Sequence, residues 1–217
     1  LQTVHIVPLT AFDQHDQINL DQQAAHTRKL YEAGMRDYLP GAGTSEFHSL
    51  SPEEIVQLVK LTREVTGPET LIFAPIGYQV KVARQTAIDC MKAGATGIMF
   101  MPFAHPYMSD RGAEEYYLTV MDAVDCPTLF YKKADIPSDE LLLKLASDSR
   151  SVGVKYSVNQ MHQFRTTVNA DSHGLEWICG SAERFAPYYM LAGSGGFTSG
   201  AGNVCPRLSL AMHAAFH

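Results

Sequence analysis

The sequence predicts a closed (β/α)8 TIM barrel. Short apolar runs alternate with longer helical stretches, eight such runs can be counted, and several helices end on the same residue pair. Alternation of this kind is the pattern of βα units wound around a parallel sheet. The runs fall at 5–10, 37–40, 71–75, 97–102, 127–131, 152–156, 175–180 and 195–200. Between the second and third, Ser51-Pro52-Glu53-Glu54-Ile55 opens a helix: Ser51 caps it, Pro52 occupies the first turn and Glu54 completes a capping box. Ala33-Gly34, Ala93-Gly94 and Ala192-Gly193 each precede a strand by a few residues, as expected where glycine closes a helix in the left-handed conformation. A doubly wound open sheet is the competing architecture. Its dinucleotide fingerprint is missing after the first strand, where Pro8-Leu9-Thr10-Ala11-Phe12 holds no glycine.

With 217 residues, 46% of them hydrophobic, the chain can bury a substantial core. It reads as one barrel domain over residues 1–217. A start at Leu1 rather than Met, and a final helical segment at 208–217 that simply stops, read as truncation at both ends. The net charge of −6, with lysines and arginines scattered singly, offers no field for a nucleic-acid backbone. No apolar run approaches the ~20 residues that span a bilayer, so no membrane partner is expected. Cys90, Cys126, Cys179 and Cys205 lie far apart without a CxxC pair, which suits free thiols in a cytoplasmic protein.

A barrel of this kind carries its chemistry on loops at the C-terminal ends of its strands. Strand alternation in Ser151-Val152-Gly153-Val154-Lys155-Tyr156 puts Gly153 and Lys155 on one face. If that face is the lumen, desolvation favours the neutral amine, which is a nucleophile towards ketones. If it is not, Lys155 snorkels to solvent. Tyr131 closes the neighbouring run; its phenol either exchanges protons with a carbinolamine on Lys155 or is simply a strand-end tyrosine. Gly41-Ala42-Gly43-Thr44-Ser45-Glu46-Phe47 is a tight loop suited to presenting N–H groups to a carboxylate, with Glu46 either a catalytic acid or, more simply, a residue that holds its own loop. Gly193-Ser194-Gly195-Gly196 is either a phosphate cradle or close packing of the last strand, and it lacks the lysine of a P-loop. His48, His105 and His162 show no ligand spacing, so no metal is expected. A GxSxG elbow is absent, which disfavours a serine hydrolase. Met91, Met99 and Met101 read as core packing.

Taken in order, GAGTSEFHSLSPEE, Tyr131, the GVK of the sixth strand and GGFTSGAGNVCP resemble the dihydrodipicolinate synthase and N-acetylneuraminate lyase superfamily across nearly the whole chain. The resemblance implies a (β/α)8 barrel assembled into dimers or tetramers. It further implies a lyase acting on a 2-keto acid through an imine on Lys155, with no other cofactor, by dehydration or aldol cleavage. Lys155 then matches the Schiff-base lysine, Tyr131 the strand-five tyrosine, Gly43 and Thr44 the carboxylate loop, and Thr198 and Ser199 the strand-eight residues lining the site. Gly43 stands where the synthases have a hydroxyl residue, and Ser45 where the loop has glycine. Lys132-Lys133-Ala134-Asp135 replaces their Asn-Val-Pro, and the arginine that would hold a second carboxylate is missing, leaving Lys132 or Lys133 to replace it. These departures resemble the sugar-acid dehydratases of the 5-dehydro-4-deoxyglucarate type more than the synthases. Pyruvate condensation and non-catalytic keto-acid binding are the alternatives. Tyr107 lies near the tyrosine that members donate across a dimer interface. Members also continue into a small C-terminal helical domain, and residues 1–217 are expected to form the barrel without it.

Overall fold

A computed structural model describes residues 1–102 and 107–216. Eight parallel strands close into a barrel in sequence order: β1 (Val4–Ile6), β2 (Asp37–Tyr38), β3 (Leu71–Ile76), β4 (Gly97–Phe100), β5 (Thr128–Lys132), β6 (Ser151–Tyr156), β7 (Glu176–Cys179) and β8 (Gly196–Ser199). The helices that follow them are α1 (Leu20–Glu32), α2 (Pro52–Thr66), α3 (Val80–Lys92), α4 (Asp110–Val124), α5 (Asp139–Leu145), α6 (Met161–Ala170), α7 (Ala182–Leu191) and α8 (Pro206–Ala214). No helix among the described residues is long and apolar enough to cross a membrane.

The local signals in the sequence act as expected. Ser51 Oγ accepts from Glu54 N–H at 3.2 Å, and the Glu54 carboxylate accepts from Ser51 N–H at 2.8 Å, which satisfies two donors that a helix start leaves over. Gly34, Gly94 and Gly193 have φ of 108, 101 and 112°. Each ends its helix in a Schellman motif, with the next residue's N–H reaching back to Leu30, Cys90 or Tyr189 at 2.9–3.1 Å. All eight expected strands form; most are shorter than expected, whereas β3 and β6 are one residue longer and β5 lies one residue further on. β1 stops at Ile6 rather than at 10, because Pro8 has no N–H to give a ladder.

Alternation divides each strand between two cores. Outward residues meet the helices: Phe100, Tyr117 and Phe130 form one aromatic cluster, and Tyr156, Phe164 and Tyr189 another. Inward residues fill the lumen. Its lower part holds Phe73, Met99 and Leu129, together with a buried His5–Asp37 pair whose Nδ1 and Oδ1 lie 3.0 Å apart. Glycine keeps this layer from overfilling, since a Cβ on Gly97 would lie 2.2 Å from the Pro127 carbonyl and 2.8 Å from the Phe73 ring. The glycines at 195 and 196 serve packing as well. A Cβ on Gly196 would meet the Thr3 carbonyl at 2.2 Å, and one on Gly195 the Glu176 carboxylate at 2.9 Å, a poor neighbour for a phosphate.

The seam between β8 and β1 is locked by Asn203. Its amide donates to Val7 O at 2.8 Å and Gly200 O at 3.0 Å, while its oxygen accepts from Leu9 N at 2.9 Å. Gly97→Ala is expected to cost about 1–3 kcal/mol, the range for overpacking a filled core, read as a lowered Tm in thermal unfolding.

Candidate active site

Two inward side chains meet at the C-terminal mouth. Tyr131 and Lys155 are register partners on β5 and β6, and the Lys155 Nζ lies 4.0 Å from the centroid of the Tyr131 ring. The outward packing of Phe130 and Tyr156 fixes this direction, because neighbours along a strand face opposite ways. Lys155 therefore does not snorkel: the residue is 4% exposed.

Both groups are electrostatically tuned. Burial lowers the Lys155 pKa; Tyr131 offsets part of this, and the Lys133 cation lowers it further. Burial opposes ionisation of Tyr131, yet its pKa is lowered, because Lys155, the nearby Ser157 hydroxyl and the Lys133 cation together outweigh burial. Burial favours the neutral amine of Lys155, and while that amine is charged it draws the proton off the neighbouring phenol. That pairing suits a nucleophile and its proton-transfer partner.

The cavity above them holds about 460 Å³ and is lined by Gly43, Thr44, His48, Lys133, Gly180 and Thr198 among others. Gly43 and Thr44 begin a 3-10 turn, Gly43–Ser45, whose first N–H groups have no carbonyl within the turn to bond. The turn is bolted to the segment after β1: Ser45 Oγ donates to Pro8 O, and Thr10 Oγ1 donates to Ser45 O at 2.7 Å. Ser45 stays out of the left-handed region, which falls instead to Glu46 at φ 66°, an exposed side chain.

The residues singled out in the sequence do not all face the cavity alike. Thr198 is inward and donates to Cys179 O at 3.3 Å. Ser199 follows it and also lines the cavity, but its hydroxyl turns to Glu183 and, at 3.2 Å, to Ser209. Lys132 also turns outward and is buried against Asp139, whereas Lys133 is exposed and lines the cavity. Of the histidines, His48 lines the cavity, His162 lies on α6, and His105 lies outside the described residues. Tyr107 is 88% exposed, and the segment before it at 103–106 is not among the described residues.

Sequence reasoning missed Ser157. Two residues beyond Lys155, it continues the inward face past the end of β6, and its Oγ is buried beside Tyr131. Gly180 makes room for it, since a Cβ there would lie 2.2 Å from Ser157 Oγ and 2.9 Å from Lys155 Cγ. Extending the alternation that placed Gly153 and Lys155 would have found it.

Comparison with known proteins bears on this arrangement. The dihydrodipicolinate synthetase family model matches residues 1–217. A DapA-like lyase of uncharacterised function from Halobacterium salinarum is 30% identical over 221 residues, spanning 97% of this chain and 71% of that one. A probable 5-dehydro-4-deoxyglucarate dehydratase from Streptomyces coelicolor is 27% identical over 219 residues, covering 96% and 68%. Among solved structures, dihydrodipicolinate synthase from Bacillus clausii superposes with a TM-score of 0.95 at 33% identity, covering 100% of this chain and 74% of that one. Likeness that extends through both sequence and backbone from the first residue to the last is more than a shared scaffold, and the chain belongs to the dihydrodipicolinate synthetase family.

Proposed function

We propose that the protein is a lyase that acts on a 2-keto acid through an imine at Lys155. The observation that carries this reading is the buried Lys155 amine facing Tyr131 under an open cavity. The substrate carboxylate rests on the N–H groups of Gly43 and Thr44. Neutral Lys155 attacks the C2 carbonyl, and Tyr131 gives a proton to the carbinolamine oxygen, which leaves as water. The protonated imine is the electron sink, so no separate cofactor is needed. Loss of a C3 proton gives an enamine, whose electrons then expel a C4 hydroxyl; this is dehydration. Alternatively the C4 hydroxyl loses its proton, the C3–C4 bond breaks and the enamine is reprotonated at C3, which is aldol cleavage. Thr198 lines the side of the pocket on β8.

Dehydration of a 2-keto-3-deoxy sugar acid is the variant we favour. The dehydratase named for Streptomyces coelicolor supports it, as does Lys133, whose exposed ammonium at the cavity rim suits an anionic group at the far end of such a substrate. The assembly we propose is a homo-oligomer, dimer or tetramer, in the cytoplasm. The free thiols fit that location.

Borohydride treatment with pyruvate should leave a stable mass increase on Lys155 and none on Lys155→Ala; a folded native sample without adduct overturns the imine. Tyr131→Phe should slow trapping by about 10²- to 10⁴-fold, the usual weight of one general acid–base contact, with little change in the pyruvate concentration needed for half-saturation. The trapping rate should rise with pH through the Lys155 pKa, with a midpoint below the 10.5 of an ordinary lysine. Lys133→Gln removes a cation that disfavours the ammonium, so that midpoint should move up. The displacement should shrink as added salt screens the cation in the native protein.

A further inference from the structure

Behind the site, on the outer side of the barrel wall, one carboxylate gathers side chains from three other elements. Lys132 and Tyr156 are the residues directly after Tyr131 and Lys155, and they too are register partners. Both reach Asp139, at the first turn of α5. Lys132 Nζ lies 3.4 Å from Oδ1, and the Tyr156 hydroxyl donates at 3.1 Å to Oδ1 and lies 3.2 Å from Oδ2. From α6, Gln163 donates to Oδ2 at 2.7 Å and Thr167 at 2.9 Å. Lys132 also donates to Pro137 O at 2.7 Å. The Asp139 side chain is 11% exposed and that of Lys132 4%.

Stability is a poor explanation for this cluster. A buried ion pair costs desolvation, and well-packed apolar residues often serve a core equally well. What such a cluster can supply is a unique arrangement, and the adjoining ladder needs one. The β5–β6 pairing shifts register between Thr128 and Leu129, so only the pairs from Leu129 to Lys132 hold Tyr131 opposite Lys155. Asp139 grips both members of the last pair. It is itself held from the other side: Ser138 caps α5 by accepting from Leu141 N at 3.0 Å, and its own N–H donates to Asp110 of α4 at 2.8 Å.

We propose that Asp139 is a positioning residue, which fixes the register and spacing of β5 against β6 and thereby holds Tyr131 beside the amine of Lys155. The inference rests on the imine reading above. By gripping Lys132 and Tyr156 from outside, Asp139 sets the height and tilt of the two inward residues that precede them. The carboxylate loop on the opposite side of the mouth is untouched by it.

The experiment is borohydride trapping with pyruvate on the native protein, Asp139→Asn and Tyr156→Phe, following rate against pyruvate concentration and against pH. Asparagine offers one acceptor where the aspartate offers two. Asp139→Asn should lower the saturating trapping rate by about 10²-fold, the scale of an ångström-sized misplacement, while the half-saturating pyruvate concentration stays unchanged. Its pH midpoint should move up towards that of an ordinary lysine as water reaches the amine. Tyr156→Phe keeps the ring packing and removes one donor, so it should show the same split to a smaller degree even where Asp139→Asn does not fold. Folded variants that trap at the native rate with the native pH midpoint, or that only lose thermal stability, overturn the clamp and leave the imine reading standing. A native protein that does not trap overturns both.

Discussion

Desolvation of one primary amine is the constraint around which the upper half of the barrel is arranged. An ammonium ion is among the costliest groups to remove from water, so a lysine walled in by strands gives up its proton more readily. Closure of the sheet supplies the wall, and the packed layer of Phe73, Met99 and Leu129 below it leaves the mouth as the approach to Lys155. Lys133 adds to the effect from the rim, and the π face of Tyr131 works against it. The balance leaves an amine that favours its neutral form, 4.0 Å from the centre of a phenol ring.

The same strands that carry chemistry inward carry anchors outward, and the two alternate residue by residue. Tyr131 is followed by Lys132, Lys155 by Tyr156, and Thr198 by Ser199. In each pair the first member faces the cavity and the second ties the wall to the helical layer, Lys132 and Tyr156 at Asp139 and Ser199 at Glu183. Precision at the mouth is therefore maintained from behind.

Much of the architecture was legible because it is written in local chemistry. A capping box and three glycine-closed helix ends fix where βα units begin and end, and these signals do not depend on tertiary context. Strand ends were less legible, since the ladder partner decides them; β1 stops early at a residue that Pro8 makes unable to continue. In the site, Lys155 and Tyr131 stood out as polar residues in apolar strands. Thr198 and Ser199 both line the cavity, but alternation along β8 gives their hydroxyls different partners, Cys179 O for the first and Glu183 for the second, a division not drawn from the sequence. The lysines at 132 and 133 could not be separated from sequence, because the end of β5 was set one residue short. Ser157 escaped notice because it lies just past a strand whose inward face it nevertheless continues.

The adjacency of Lys132 and Lys133 makes β5 intolerant of a change in length. Insertion or deletion of a single residue ahead of Tyr131 would exchange inside for outside along the rest of the strand, bringing one lysine into the lumen and turning the phenol towards the helices. The barrel could survive such an event through its other seven strands and still lose its chemistry altogether. Natural variation in this chain should therefore accumulate as substitutions in β5 and as length changes in the loops below the barrel, where alternation has no meaning.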